Sequence, residues 1–397
     1  MNRRQFVASS GALAFGSFAS KAWSVDSAAR EQGPSSKSGP FRVIIDTDPG
    51  YDDALALLFA MSSPELKIEG ITAVSGNLPI EITLGNALRM VEAAGRTDIP
   101  VASGPKTPLV RQGIFAPEGH GDNGLAGAVF PTPSVKPVDM PAAELIRTIV
   151  RKYPGEVTLL PIGPHTNIAT ALLADPALAG MIPGIVMMGG SLSGGNITPA
   201  AEFNIYVDPE AARIVFHSGI PITMVGLDVT NRVVLTEEHV RTLEAGQTAV
   251  SKAAGKVARA VLEYWRKQGF VSKPILFDEV AVAEFLDPKI LRLEDYYIDV
   301  ETSGDITAGE TVGYSPIHGE DQRWLSPDAP HPGNRDPAYY RPPDIRGSAP
   351  SIYRPGASSF FTKTYKPNAK VGVDVDVERF FRLFIGRLSG KRVDIET

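Results

Sequence analysis

The segment Val43–Ala60, with the sequence VIIDTDPGYDDALALLFA, carries four aspartates within eight positions. A β-branched apolar run precedes these aspartates, and a run with an amphipathic pattern follows them. Like charges at this density repel one another unless something cationic lies among them. The segment therefore predicts a β-strand and a helix that meet at an acidic site. The four residues are Asp46, Asp48, Asp52 and Asp53.

Strand-like and helix-like segments alternate along the chain beyond this junction. EVTLLPIG, GIVMMGG and PITMVGLDVT have strand character, whereas HTNIATALLAD and DPEAARIVFHSG have helix character. This alternation predicts an α/β fold with an open, mostly parallel, twisted sheet flanked by helices. Ligands of such sheets bind outside the carboxyl ends of the strands. We therefore expect the active site there, among the polar residues and glycines that end several strands.

Composition limits the possible partners. The chain has 397 residues, a net charge of -6 and no long block of Lys and Arg, so we expect no nucleic-acid partner. It has no Cys, which excludes disulfides and zinc-thiolate sites. We predict a leader and linker over residues 1–40 and a single catalytic domain over 41–397. A Pro- and Tyr-rich stretch at about 315–370 has no periodicity and is predicted to be a surface insertion.

The first residues, MNRRQFVASSGALAFGSFAS, have the form of a twin-arginine export signal. Arg3 and Arg4 precede an apolar stretch that is too short to span a membrane. We therefore expect no membrane span and a periplasmic or secreted location. A disordered tail is the alternative interpretation.

The acidic junction has the composition of a metal site. Gly50 allows a sharp turn, so Asp48 at the strand end and Asp52 and Asp53 at the helix start can face one space. Hard oxygen ligands suit Ca²⁺ or Mg²⁺, and the looser geometry of Ca²⁺ fits one loop plus distant carbonyls better. Alternatively, each Asp alone would only favour a helix N-terminus or a turn, by less than about 1 kcal/mol.

Several segments resemble the inosine–uridine-preferring nucleoside hydrolase family. DTDPGYDDALAL resembles its N-terminal motif, and VMMGGSLSGGNITPAAEFNIYVDPEAA resembles its glycine-rich strand and EFN motif. ITAVSGN, LLPIGPHTNIATAL, TMVGLDVT and FDEVAVAEFLDP are similar to further blocks. The resemblance covers about residues 41–314 and resumes near Val371. It implies a Rossmann-like nucleoside hydrolase fold and calcium-dependent hydrolysis of the N-glycosidic bond of ribonucleosides to free base and ribose.

The same resemblance implies a role for individual residues. Calcium would be held by Asp48, Asp53, Asp278 and the backbone carbonyl of Ile162. Asp48 would also be the general base for a calcium-held water that attacks the anomeric carbon. The family further suggests a homodimer or homotetramer. The ribose pocket would be formed by Asp52, Asn77, Met188, Asn196, Glu202 and Asn204.

The leaving base is where the sequence departs from the family. The family has a His directly before the last calcium-binding Asp, and this chain has Phe277, which cannot donate a proton. His120, in EGHGDNG, resembles a loop histidine near the family's active site and is predicted to be catalytic. Trp265 is a candidate for binding the base, on which it and its neighbour Tyr264 could stack, and packing in the core or at an interface is the alternative for both. The preference for purine or pyrimidine bases is not readable from these residues.

Two other functions remain open at this stage. Phe277 leaves room for a nucleoside-binding protein with lost or altered catalysis. A haloacid-dehalogenase-like phosphatase also places DxD after its first strand, although the segment PGYDD and the EFN block have no place in that class. Binding without release of base would identify the first, and phosphate release would identify the second.

A site that hydrogen-bonds the ribose hydroxyls should reject deoxyribonucleosides. A substrate without the hydroxyl leaves buried polar groups unpaired, which can lower kcat/KM by about 10⁴-fold. We expect inosine to be hydrolysed far faster than deoxyinosine when free base is measured under the same conditions. Equal turnover of the two nucleosides would contradict a hydrogen-bonded ribose pocket.

Overall fold

The computed structural model describes residues 39–270, 274–315 and 366–391, together with Val393 and Ile395. These residues belong to one compact unit that begins at Gly39. Nearly all of the predicted leader and linker, and residues 316–365 of the predicted insertion, lie outside the described residues. Within the described ranges, no helix is both long enough and apolar enough to cross a membrane.

The described residues form one nine-stranded sheet with the order β3-β2-β1-β4-β5-β6-β9-β7-β8 once the strands are numbered along the chain. The first seven strands in this order are parallel, and β7 and β8 form an antiparallel edge. The predicted open, mostly parallel α/β sheet is confirmed. The strands are β1 Phe41–Thr47, β2 Leu66–Ala73, β3 Val101–Ser103, β4 Val157–Pro161, β5 Ile185–Met188, β6 Ile222–Val225, β7 Leu291–Val300, β8 Thr311–Tyr314 and β9 Ala369–Val375.

Helices cover both faces of the sheet and create two apolar cores. Side chains alternate between the faces of a strand, so Val43 and Ile45 of β1 join one core and Ile44 joins the other. The helices are α1 Tyr51–Met61, α2 Ile80–Ala93, α3 Pro117–His120, α4 Ala142–Lys152, α5 Thr166–Ala174, α6 Phe203–Val207, α7 Pro209–Phe216, α8 Leu227–Thr230, α9 Glu237–Glu244, α10 Ala249–Gln268, α11 Asp278–Leu286 and α12 Val377–Leu388. The first core contains residues of α1, α2, α10, α11 and α12, and the second contains residues of α4, α5 and α7.

The helix that follows the acidic turn differs from its predicted amphipathic character. Every residue of α1 is buried, as expected for a helix that is apolar on all sides. The sheet covers one side of α1, while α10, α11 and α12 pack on its other sides. The acidic residues at its start are therefore enclosed with it.

The segment PITMVGLDVT also differs from its predicted strand. β6 ends at Val225, and the helical turn α8 begins at Leu227. Gly226 lies between them at a close approach of two backbones, because a Cβ there would lie 2.6 Å from the carbonyl oxygen of Gly190. Asp228 consequently does not end a strand, and its carboxylate accepts a hydrogen bond from the backbone N–H of Leu192 at 2.9 Å.

The last described helix, α12, packs on the core as its amphipathic pattern predicts. Phe380 and Phe384 on its apolar face are fully buried. The Phe384 ring contacts the ring of Phe59 in α1 edge-on, with centroids 5.4 Å apart. The C-terminal helix thus helps to hold α1, and with it the acidic turn.

Replacing Phe384 by Ala should lower the free energy of unfolding by about 3–5 kcal/mol, because it leaves a cavity against α1. Leu173→Ala is the control, since Leu173 on α5 is 59% exposed and should change stability by less than about 0.5 kcal/mol. Denaturant unfolding followed by circular dichroism measures both. Similar losses for the two variants would show that α12 adds little to the core.

Candidate active site

The carboxylate of Asp53 organises the turn that joins β1 to α1. Its Oδ1 accepts hydrogen bonds from the Thr47 hydroxyl at 2.5 Å and from the backbone N–H of Asp48 at 3.0 Å. Its Oδ2 accepts from the backbone N–H of Gly50 at 3.0 Å and from the Asn77 amide at 3.1 Å. One buried carboxylate therefore satisfies several polar groups of the turn and links it to the segment after β2.

Asp48 has one bonded and one free carboxylate oxygen. Its Oδ2 accepts from the backbone N–H of Asn77 at 2.6 Å, whereas its Oδ1 is buried without a hydrogen-bond partner among the described residues. A Cβ at Gly163 would lie 2.4 Å from Oδ1, and one at Gly76 would lie 2.1 Å from Oδ2. These two glycines, which follow β4 and β2, leave the space that Asp48 fills.

Two further carboxylates meet Asp53 beside this turn. Asp52, Asp53 and Asp278 each offer an oxygen within 4.8 Å of the others, and all three are buried. Asp278 is the first residue of α11, so a distant segment completes the cluster. Asp48 lies outside this closest group, and the carbonyl of Ile162, also predicted as a ligand, accepts a hydrogen bond from the Asn204 amide at 3.1 Å.

The electrostatics of these carboxyls favour binding of protons or of a cation. Burial, and then the Asp53 charge, raises the pKa of Asp48 well above its ordinary value, and the pKa of Asp278 is raised for the same two reasons. Burial raises the pKa of Asp52 and of Asp53 to about 6. Carboxylate and carbonyl oxygens are the donors that Ca²⁺ and Mg²⁺ prefer. These residues, with the free oxygen of Asp48, therefore fit a hard divalent cation.

The EFN motif forms the next part of the site. Glu202 precedes α6, and its oxygens accept from the backbone N–H groups of Gly190, Asn204 and Ile205 at 2.9 to 3.2 Å. Burial raises the pKa of Glu202 to about 7. The Asn204 amide also lies 3.3 Å from the carbonyl of Met188, at the end of β5. The motif thus joins the carboxyl ends of β4 and β5 beside the acidic turn.

The two other asparagines predicted to contact ribose lie in different surroundings. Asn77 is buried, and its amide nitrogen also lies 3.2 Å from the backbone carbonyl of Asp48. Asn196 is exposed on the glycine-rich loop, where its side-chain oxygen accepts from the backbone N–H of Phe203 at 2.9 Å. Asn77 therefore belongs to the buried acidic cluster, while Asn196 lies on the loop leading to α6.

His120, the last residue of α3, lies against the acidic turn. A Cβ at Gly50 would be 2.3 Å from its Nδ1, so the ring occupies the space that the glycine leaves. Its Nδ1 is 3.7 Å from Oδ1 of Asp52, and its ring centroid is 4.9 Å from that of Tyr51. The side chain is 12% exposed, and burial lowers its pKa to about 4. The predicted loop histidine therefore reaches the cluster.

The aromatic residues predicted near the base lie around the start of α11 and the end of α10. Phe277 directly precedes Asp278, is half-buried and packs against the apolar core. Trp265 is also half-buried, and its ring centroid lies 4.7 Å from that of Phe270. The Trp265 Nε1 is buried, and the indole interacts with the Tyr51 hydroxyl.

Three buried residues near the site gave little or no signal in the sequence. Tyr51 supports the His120 ring, and Glu279 is fully buried with both carboxylate oxygens unpaired within the described ranges. Asp46, the first of the four aspartates, accepts from the Thr72 hydroxyl at 2.6 Å and the Asn167 amide at 2.7 Å. Their burial comes from contacts between elements that are distant in sequence.

Comparison with known proteins identifies the family. The inosine-uridine preferring nucleoside hydrolase family matches residues 43–382. The chain belongs to this family. It is therefore a hydrolase of the N-glycosidic bond of ribonucleosides, and the phosphatase interpretation is not supported.

Relatives of this hydrolase are found among curated proteins and solved structures. It is 46% identical over 272 residues to the pyrimidine-specific ribonucleoside hydrolase RihA of Photobacterium profundum, covering 68% of this chain and 87% of that one. RihA of Escherichia coli is 44% identical with the same coverage. A plant nucleoside hydrolase superposes with a TM-score of 0.72 at 32% identity, covering 88% of this chain and 99% of that one. A purine-preferring ribonucleoside hydrolase from Gardnerella vaginalis gives 0.71 at 30% identity, with 88% and 98% coverage.

The stabilisation of the hydrolase by a divalent cation should increase with pH. Without metal, the raised pKa values of Asp52 and Asp53 at about 6, and of Asp46 and Glu202 at about 7, mean that the native state holds protons the unfolded chain has released. The stability that these bound protons give the metal-free native state is lost as the pH rises through the folded-state pKa values. A bound cation takes the place of the protons, so the Tm difference between Ca²⁺-loaded and chelated protein should be larger at about pH 8 than at about pH 5. A difference independent of pH would contradict this account.

Proposed function

We propose that the hydrolase cleaves ribonucleosides at the acidic turn, with Ca²⁺ held by Asp48, Asp53, Asp278 and the carbonyl of Ile162. The observation that carries this proposal is the unpaired, buried Oδ1 of Asp48 beside a group of buried carboxylates. The proximity of Asp52 to Asp53 and Asp278 supports a close contact of Asp52 with the same ion or with the ribose beside it. A bound Ca²⁺ would keep the carboxylates ionised and lower the pKa of a coordinated water.

Asp48 is the general base of this proposal. Its Oδ2 is fixed by the backbone N–H of Asn77, so the carboxylate has a defined orientation while Oδ1 remains free to accept a proton from the attacking water. The glycines at positions 76 and 163 leave room for this carboxylate, because a Cβ at either position would overlap one of its oxygens. A rigidly held base with one free oxygen is well arranged for proton transfer.

The ribose side of the site would stabilise positive charge on the sugar. Cleavage of the N-glycosidic bond passes through a cation-like transition state at the anomeric carbon. Fixed carboxylates stabilise such charge in a site with little water. Asp52 and Glu202 are buried carboxyls with backbone hydrogen bonds that fix their positions. Asn77, Met188, Asn196 and Asn204 would complete the ribose pocket.

His120 would assist departure of the base in place of the histidine that Phe277 replaces. With its pKa lowered to about 4, its imidazole is neutral near pH 7. A neutral imidazole still carries one N–H. His120 would therefore donate a hydrogen bond to the departing base as a neutral group and not as a charged imidazolium. Trp265 would contact the base from the end of α10. The identity to the RihA enzymes, whose names state pyrimidine specificity, supports uridine and cytidine as the first substrates to test.

The place of action and the assembly are part of the same proposal. The pattern of the first twenty residues supports export by the twin-arginine route to the periplasm or the medium. Family membership supports a homodimer or homotetramer. The hydrolase would then act on nucleosides outside the cytoplasm.

Asp48→Asn should abolish release of base and weaken Ca²⁺ binding, since the amide cannot accept the proton and carries no charge. Purified protein is incubated with purine and pyrimidine ribonucleosides, with Ca²⁺ or with a chelator, and free ribose is measured. Asp98→Asn is the control, because Asp98 is exposed and pairs only with Arg96 in the described structure. Full activity of the Asp48 variant, or ligand binding by the wild type without any ribose release, would refute the proposed function.

A further inference from the structure

The hydroxyl of Tyr264 contacts the helix that carries His120. Tyr264 lies in the last turns of α10, and its hydroxyl is 2.9 Å from the carbonyl of Glu118 and 3.2 Å from the carbonyl of Pro117. Both carbonyls belong to α3, of which His120 is the last residue. We propose that Tyr264 is a positioning residue that fixes α3 and so holds the His120 ring against the acidic turn. This inference rests on the proposed role of His120.

A single turn such as α3 needs contacts from outside to keep its position. It has four residues, and its first flanking residue, Ala116, provides no side-chain cap. One helical turn gains too few internal hydrogen bonds to be stable alone, and its terminal carbonyls need other donors. The Tyr264 hydroxyl is such a donor from a side chain. The backbone on either side is held by hydrogen bonds from Ala116 to the Asn77 carbonyl at 2.9 Å and from Ala126 to the His120 carbonyl at 2.8 Å.

The donor itself lies on a well-anchored helix. α10 is 20 residues long, and Arg266, two residues after Tyr264, bonds to Glu237 of α9 at 2.8 Å. Arg259, two turns earlier, bonds to Glu237 and Glu244 at 2.8 to 2.9 Å. A catalytic group is positioned most accurately when its supporting residues lie on such fixed elements. The line of contacts thus runs from α9 through α10 to α3.

These contacts favour a positioning role over stacking on the base. Stacking would use the face of the Tyr264 ring and would not need the hydroxyl, whereas the hydroxyl is the group that reaches α3. The ring edge also lies close to the loop after α3, since a Cβ at Gly121 would be 3.5 Å from Tyr264 Cε2. Removal of the hydroxyl alone therefore distinguishes the two roles.

The test compares two leaving groups in Tyr264→Phe. Uridine releases a base that needs a hydrogen-bond donor, whereas a nitrophenyl riboside releases a nitrophenolate that departs without one. A small displacement of a catalytic group can cost up to about 100-fold, so we expect kcat on uridine to fall by about 10- to 100-fold with KM little changed. Activity on the nitrophenyl riboside should stay close to wild type, which also shows that the variant is folded.

His120→Ala and Tyr153→Phe complete the experiment. His120→Ala should show the same dependence on the leaving group with a loss of about 10²–10⁴-fold on uridine, and adding Tyr264→Phe to it should cause no further loss. Tyr153 packs under the Arg42 guanidinium near the start of β1, away from the carboxyl ends of the strands. Tyr153→Phe should therefore match the wild type on both substrates.

Several outcomes would overturn the positioning role. For Tyr264→Phe, these are an unchanged kcat on uridine, an equal loss of activity on both substrates, or a rise of KM without a change in kcat. For the double variant, the contrary outcome is a loss of activity equal to the product of the two single losses. If His120→Ala is impaired while Tyr264→Phe is not, the positioning role fails and the proposed function stands. If the wild type releases no base from any ribonucleoside, the proposed function fails and the positioning role fails with it.

Discussion

The repulsion among buried carboxylates at the first strand-to-helix junction is the constraint on which the rest of the site depends. Removing charge from water is costly unless it is paired or hydrogen-bonded. Asp53 is satisfied by the turn that precedes its own helix, and Asp48 is bonded through one oxygen only. Burial, and then the charge of Asp53, raises the pKa values of Asp48 and Asp278, so the folded chain is arranged to bind a cation or protons there.

Space around these carboxylates is provided by glycines rather than by the acids themselves. Gly76 and Gly163 leave room for the Asp48 carboxylate, and Gly50 leaves room for the His120 ring. At each position a Cβ would overlap a functional atom. The strand ends therefore contribute to the site as much by the side chains they lack as by those they carry.

The sugar and base sides of the site are built from different kinds of structure. Most of the residues that we propose for the ribose side lie at strand ends and in the first turns of buried helices, and Asn196 lies on an exposed loop. The proposed base side depends on α3, a single turn that contacts α10 through the Tyr264 hydroxyl and the Tyr51 ring through His120. Phe277 is packed on the core, and His120, the donor that we propose for the departing base, belongs to this second part.

The sequence by itself determined the parallel α/β sheet, the acidic turn after β1 and the family, because these depend on local alternation and on contiguous motifs. It did not determine that α1 is buried on all sides, since α10, α11 and α12 cover it from far along the chain. Nor did it determine that LDVT turns into a helix, which follows from the close approach of Gly226 to Gly190. The resemblance to the family implied that Asp278 joins Asp53, but only the tertiary structure placed Asp52 with them and brought the Tyr264 hydroxyl to the turn that carries His120. These contacts between distant residues depend on how separate elements pack on one sheet, and no local pattern in the sequence encodes them.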